Sequence, residues 1–305
     1  MKRQAGLLIT LTAFLLIGCN DNKRTYHYEE YGLNHPVKSV KVTSYEAESK
    51  FGEIIKGDLT RDGHYVATFN SVGNLESVST FDDNGDLNNV KKYTYDNNNN
   101  VIAIHEFDKD GDLLEVEKNK YDEDNNVVEL SIFANNGDLK FIYISEYSKG
   151  KQVSYTTSSD WFEEDDTHTT YKWDGKHIIE EDSFRNGELY SKRKFTHTSK
   201  NCLDWIVYDA NGAEVSRGHR VLDNRGRIVE QNDSKVEFND KNLPVYLKNV
   251  FTLNNPDLIW YFHDNDEREL YIRYEYDKKG NWVKRVIYEG GIMRPSVISE
   301  RTIIY

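Results

Sequence analysis

Leu75-Glu-Ser-Val-Ser-Thr-Phe81-Asp-Asp-Asn-Gly85-Asp-Leu87 runs directly into Asn-Asn-Val-Lys-Lys-Tyr-Thr-Tyr95-Asp-Asn-Asn-Asn99-Asn-Val101. The same phrase occurs twice: an aromatic, an Asp, two free positions, Gly or Asn, a polar residue, then Leu or Val. Working outward, aromatics stand at 69, 81, 95, 107, 121, 133 and 147, with separations alternating 12 and 14 and a full unit of 26 residues. The next multiple lands on Trp173-Asp174. A fixed period of this length marks a repeat architecture.

Gly and Asn tolerate positive φ at low cost. Four positions after an aromatic, they suit a turn closed by a bulge, and the Asp that opens the turn can bond its own backbone. The chain is therefore expected to reverse at Gly73, Gly85, Asn99, Gly111, Asn125 and Gly137. Between these points lie runs of ordinary strand length, such as Leu75 to Phe81 and Val101 to Phe107. Each unit reads as one β-hairpin, and successive hairpins pair as an antiparallel meander. Parity counted along the chain puts Phe81, Phe107 and Phe133 on one face together with Tyr95, Tyr121 and Tyr147. Mid-strand aliphatics such as Val78, Ile104, Leu130 and Ile144 occupy the other face, so both faces need cover. An open sheet longer than roughly ten strands supplies that cover by curling.

The first 18 residues form a targeting segment. Lys2 and Arg3 give the positive end, and Leu7 to Ile17 is an apolar run too short for a membrane span. It ends Leu16-Ile17-Gly18-Cys19, which resembles the lipobox of bacterial lipoproteins. That resemblance implies cleavage before Cys19 and a lipid on Cys19. The division expected is 1–18 signal peptide, 19–35 polar tether and 36–305 repeat domain, with helix only in the signal. Without residues 1–18 the chain carries 37 Lys and Arg against 52 Asp and Glu, net −15. That charge opposes nucleic-acid backbones. Cys202 is then the one remaining thiol, without a disulfide partner, and reads as a structural cysteine.

The second half keeps the phrase with wear: Tyr208-Asp-Ala-Asn-Gly212, Leu222-Asp-Asn-Arg-Gly226, Phe238-Asn-Asp-Lys-Asn242 and Tyr276-Asp-Lys-Lys-Gly280-Asn281. Ser154 to Thr170 interrupts it with an acidic, aromatic stretch around Trp161 and Phe162. The Tyr-Asp-x-x-Gly-Asn phrase at Tyr276, with weaker copies at Tyr95, Tyr121 and Tyr208, resembles the YD-repeat, or RHS-repeat, family. The resemblance covers most of residues 60–290. It implies long curling antiparallel sheets and no catalytic residues. The expected fold is thus all-β, one long, twisted and curled meander.

Chemistry is sparse. Asp108-Lys-Asp-Gly111-Asp112 approaches a calcium loop, but its Gly falls too early and turn chemistry explains it. His168 and His177 flank the acidic stretch without metal-ligand spacing, and no hydrolase, phosphate-loop or dinucleotide phrase occurs. No catalytic residue, metal or cofactor is expected. Among the five tryptophans, Trp161 lies outside the repeat register, so Trp161 and Phe162 are the candidate ligand contacts. The expected function is a non-enzymatic, lipid-anchored binding or scaffold module of the cell envelope, at the outer membrane rather than the inner. Its partners would be the membrane, through Cys19, and an envelope protein or glycan. The alternative, resting on the family resemblance, is a toxin-associated accessory or immunity-like protein.

Overall fold

The computed structural model describes residues 27–159, 166–249, 269–290 and 294–305. Strands β1 to β7 are Ser39–Lys50, Glu53–Leu59, His64–Phe69, Leu75–Phe81, Leu87–Tyr95, Val101–Asp108 and Leu113–Tyr121. Strands β8 to β14 are Val127–Ala134, Leu139–Ser148, Lys151–Ser159, Thr167–Asp174, His177–Arg185, Glu188–Ser199 and Cys202–Asp209. Strands β15 to β21 are Glu214–Leu222, Ile228–Gln231, Ser234–Phe238, Pro244–Lys248, Glu269–Tyr276, Trp282–Glu289 and Pro295–Ile304. A one-turn 3-10 helix, Tyr28–Tyr31, precedes them.

The repeated phrase builds the reversals. The Asp82 N–H donates to the Asp86 carbonyl at 2.9 Å, and Gly85 N–H donates to the Asp82 carbonyl at 3.0 Å. The Asp82 carboxylate accepts from the N–H of Asn84 and of Asp86. Asp108 does the same for Asp110 and Asp112, so the calcium-like phrase is spent on a turn. Gly85 at φ 81° and Asn99 at φ 63° hold the left-handed slot that each turn requires. A register shift falls just before the repeat aromatics of these hairpins, as between Thr80 and Phe81 or Lys120 and Tyr121.

That shift corrects the single aromatic ladder. Parity does not carry through a bulge. Val90 stands opposite Phe107, while Asn119 stands opposite Leu130, so Phe107 and Tyr121 fall on different faces. The phenylalanines point outward, where the Lys92 and Lys118 ammonium groups lie 4.9 and 5.1 Å from the centres of Phe107 and Phe133. The tyrosines point inward at the opposite rim and tie strand to strand. Tyr95 O–H donates to the Leu75 carbonyl and Tyr121 O–H to the Val101 carbonyl, both at 2.8 Å. Trp173 Nε1 donates likewise to Gln152. Tyr121→Phe is expected to cost about 1 kcal/mol in a urea melt; an unchanged midpoint would show that the tie contributes nothing.

The sheet closes, which overturns the open YD-repeat-like meander. β1 pairs with β21, Ser39 opposite Ile304, and on its other side with β3, Ser39 opposite Thr68. The C-terminal part of β1 pairs with β2, Lys50 opposite Glu53. β2 and β3 therefore fill successive halves of one position, and the antiparallel barrel counts 20 positions. The helix expected only in residues 1–18 lies outside the described residues, and the short turn at Tyr28–Tyr31 was not foreseen. Part of the expected tether is docked: Tyr28 N–H donates to the Gly73 carbonyl, and Asn34 N–H to Asn281 Oδ1 at 2.7 Å. Tyr31 and Leu33 are buried among Val40, Tyr65 and Trp282. The segment thus bridges turns on one rim of the barrel.

The register sorts the two faces. Val40, Ala67, Ile104, Leu130, Tyr143, Tyr171, Phe195, Leu247, Ile272 and Ile287 share the inner face and are buried. Outward, mid-strand ion pairs recur: Lys120–Glu129 at 2.7 Å, Lys192–Asp182 at 2.8 Å and Lys284–Glu275 at 3.1 Å. A membrane-spanning barrel carries the inverse pattern, an apolar band outside and a polar bore. Ion pairs also stand on the inner face, Lys91–Glu106 at 3.1 Å and Arg193–Glu181 at 3.2 Å, so both faces carry charge.

One exterior network is strong enough to read by pH. Hydrogen bonds from Lys172, then Lys192, hold the Glu180 carboxyl down to about 2. A depressed carboxylate stabilises the fold above its ordinary value and loses that contribution as pH falls through the folded one. Glu180→Gln should flatten the fall in melting temperature between pH about 4.5 and 2. A slope equal to that of the parent chain would discount the network.

Candidate functional site

The inner wall at β12 to β15 concentrates unlike groups. Glu181 stands opposite Arg193, and Phe195 stands opposite Trp205, which in turn faces Gly218. A glycine inside a strand marks a close approach. Here a Cβ on Gly218 would land inside the Trp205 ring, so the missing side chain lets the indole lie flat on the sheet. The Arg193 guanidinium sits 6.0 Å from the Phe195 centre, and the Arg220 guanidinium sits 5.7 Å from the Trp205 centre. Two cations thus approach a paired aromatic floor from opposite directions.

Their partners are few. Arg193 meets Glu181 at 3.2 Å, and Arg220 Nε donates to Gln231 at 2.9 Å. Among the described residues, Arg193 Nε and Glu181 Oε2 are buried without a hydrogen-bond partner. Burial raises the Glu181 carboxyl although Arg193 opposes it. Burial lowers Arg220, and the nearby Arg193 lowers it further. Tyr155 and Tyr171 extend the floor, their rings 6.1 Å apart. Burial drives the hydroxyls of both upward, and that of Tyr143 to about 12.

Beside this patch the wall is notched. β15 runs Glu214–Leu222, but β16 pairs only with Arg220, Val221 and Leu222. At His219 the ladder is closed off by Asn232, whose Oδ1 accepts the His219 N–H and whose own N–H donates to the His219 carbonyl. Among the described residues no strand pairs with this side of Glu214 to Gly218, and Val215 is 59% exposed. An open concavity of about 540 Å³ lies here, lined by Asp204, Ile206, Arg217 and His219 together with Trp205 and Gly218. His219 Nδ1 and Asp204 Oδ1 lie 2.5 Å apart within it.

The candidates foreseen from sequence lie elsewhere. Cys19, Trp161 and Phe162 are outside the described residues. His168 bonds the Thr156 hydroxyl, and His177 packs 4.2 Å from His197. These two histidines stand at opposite ends of the β11–β12 hairpin, so the structure does not bring them together. Cys202 is half-buried in β14. Sequence reading missed Arg193, Arg220 and Glu181, which look like ordinary strand charges; Gly218 inside a strand was the available signal.

No family model matches this chain. No curated protein matches it. Among solved structures, it is similar to a porin-like protein from Bacteroides uniformis at 10% identity and a TM-score of 0.32, covering 88% of this chain and 96% of that one. A porin-like protein from Bacteroides vulgatus gives 14% identity and a TM-score of 0.34, covering 88% and 98%. A structure described as TcdB2-TccC3-Cdc42 gives 12% identity and 0.39, with 81% of this chain against 15% of that one. Likeness at this level assigns neither family nor activity. With no family model in support and the sheet closed into a 20-position barrel, the YD-repeat resemblance is set aside.

Proposed function

We propose that the chain is a lipid-anchored binding protein of the bacterial cell envelope, without catalytic chemistry of its own, at the outer membrane rather than the inner. The observation that carries this is the outward face. Its ion pairs and charged rows suit an aqueous compartment, so the barrel needs a tether if it is to stay at a membrane. Lys2, Arg3, the apolar run and Gly18-Cys19 supply the signal for one. A net charge of −15 on the processed chain, 37 basic against 52 acidic residues, keeps the body off anionic headgroups. The mix of Glu181, Arg193, Phe195 and Trp205 on the described wall suits binding better than a relay of acid, base and nucleophile.

The test is Cys19→Ser. Cells fed labelled palmitate should label the parent protein and not the variant, and the variant should leave the membrane fraction without detergent. Unchanged acyl labelling would refute the anchor. A variant that resists release would refute the water-facing exterior.

A further inference from the structure

We infer that the inner wall at β13 to β15 holds a site for a small organic anion, a carboxylate or a phosphate monoester, gripped between Arg193 and Arg220 above Phe195 and Trp205. This rests on the reading of the protein as a binder and names the chemistry bound.

Charge makes the first case. The chain is acidic overall, net −13, yet this patch gathers two guanidinium groups against one carboxylate, Glu181. Their fields overlap, since Arg193 contributes to the lowered basicity of Arg220. Both guanidinium groups are half-buried, and positive charge partly withdrawn from water is favoured by a further negative partner. An anion between the two groups supplies that partner.

Geometry makes the second. The two guanidinium groups flank one cross-strand aromatic pair, one beside Phe195 and the other beside Trp205. Arg193 Nε is buried with no partner, leaving a donor in place. Guanidinium forks match the planar oxygens of carboxylate and the oxygens of phosphate. The indole held flat by Gly218 gives the ligand's apolar body a face to lie on. The outward cations over Phe107 and Phe133 are different in kind, because those lysines stand on the water-facing side. The unpaired side of Glu214 to Gly218 lies next to the same floor and offers a way in.

The test is titration of the full chain with benzoate, inorganic phosphate and benzylamine, read by tryptophan fluorescence and calorimetry. Benzoate or phosphate should saturate, and benzylamine should not. Response to benzoate alone assigns a carboxylate on an apolar body, and response to phosphate alone assigns the phosphate. Arg220→Gln should weaken binding roughly tenfold or more, whereas Arg217→Gln, on the outer face of the same strand, should leave it unchanged. If Arg220→Gln loses its circular dichroism spectrum, Arg193→Gln is read in its place. Absence of anion binding, equal binding of benzylamine, or full affinity in a folded Arg220→Gln protein would overturn the site. Acyl labelling at Cys19 is read separately, so failure of the anchor and failure of this site are distinguishable.

Discussion

Trp282→Ala should lower the stability of the barrel by about 3–5 kcal/mol, toward the upper end of that range. Trp282 is 1% exposed and belongs to the cluster that joins the docked segment to β1 and β3. Its ring lies 3.7 Å from the Arg301 guanidinium and 5.0 Å from that of Arg285. Both arginines are themselves buried. A desolvated cation over an indole is worth about 2 kcal/mol, so truncation removes packing and the arginines' π partner together. Arg301 also donates to the Tyr31 carbonyl at 2.9 Å, which couples the loss to the docked segment. Trp282→Phe, which keeps a ring, should recover part of the deficit. Urea melts measure both, and a loss below about 1 kcal/mol for the alanine variant would mean that the cluster repacks without it.

Ending the chain at Arg294 should abolish cooperative unfolding altogether. Residues 295–305 contain the whole of β21, the strand that joins β20 to β1. Without it both neighbours present bare edges, which invite pairing with other chains. The inner residues Val297 and Ser299 and the buried Arg301 leave as well. Gel filtration should show association, and thermal melts should broaden. A monomer with the parent's melting temperature would show that closure is dispensable.

The hairpins were legible because their chemistry is local. Gly85 or Asn99 can be recognised from a few neighbours, since the left-handed slot and the Asp that bonds the turn lie within one phrase. Closure was not legible. Its pairing joins Ser39 to Ile304, and no period or motif connects residues that far apart in sequence. The face of Phe107 was misread for a mechanical reason, because a bulge at each turn resets the alternation that parity counting assumes. The candidate site escaped notice for a third reason. Arg193 in Lys-Arg-Lys-Phe195 and Arg220 in Gly218-His-Arg220 look like solvated strand charges until register turns them inward.

The sharing of one ring position by β2 and β3 sets a rule for how such a chain can change size. Neighbouring strands that alternate in direction all the way round must be even in number. A ring of 21 full strands would force one parallel contact, and the collinear pair avoids it. Inserting a single strand would run β21 the wrong way along β1. Inserting a hairpin would not, and a hairpin is the 26-residue unit. Duplication or loss of whole units can therefore widen or narrow the bore in steps of two strands while the first and last strands still meet. The period read from the sequence is the increment of circumference that the closed barrel tolerates.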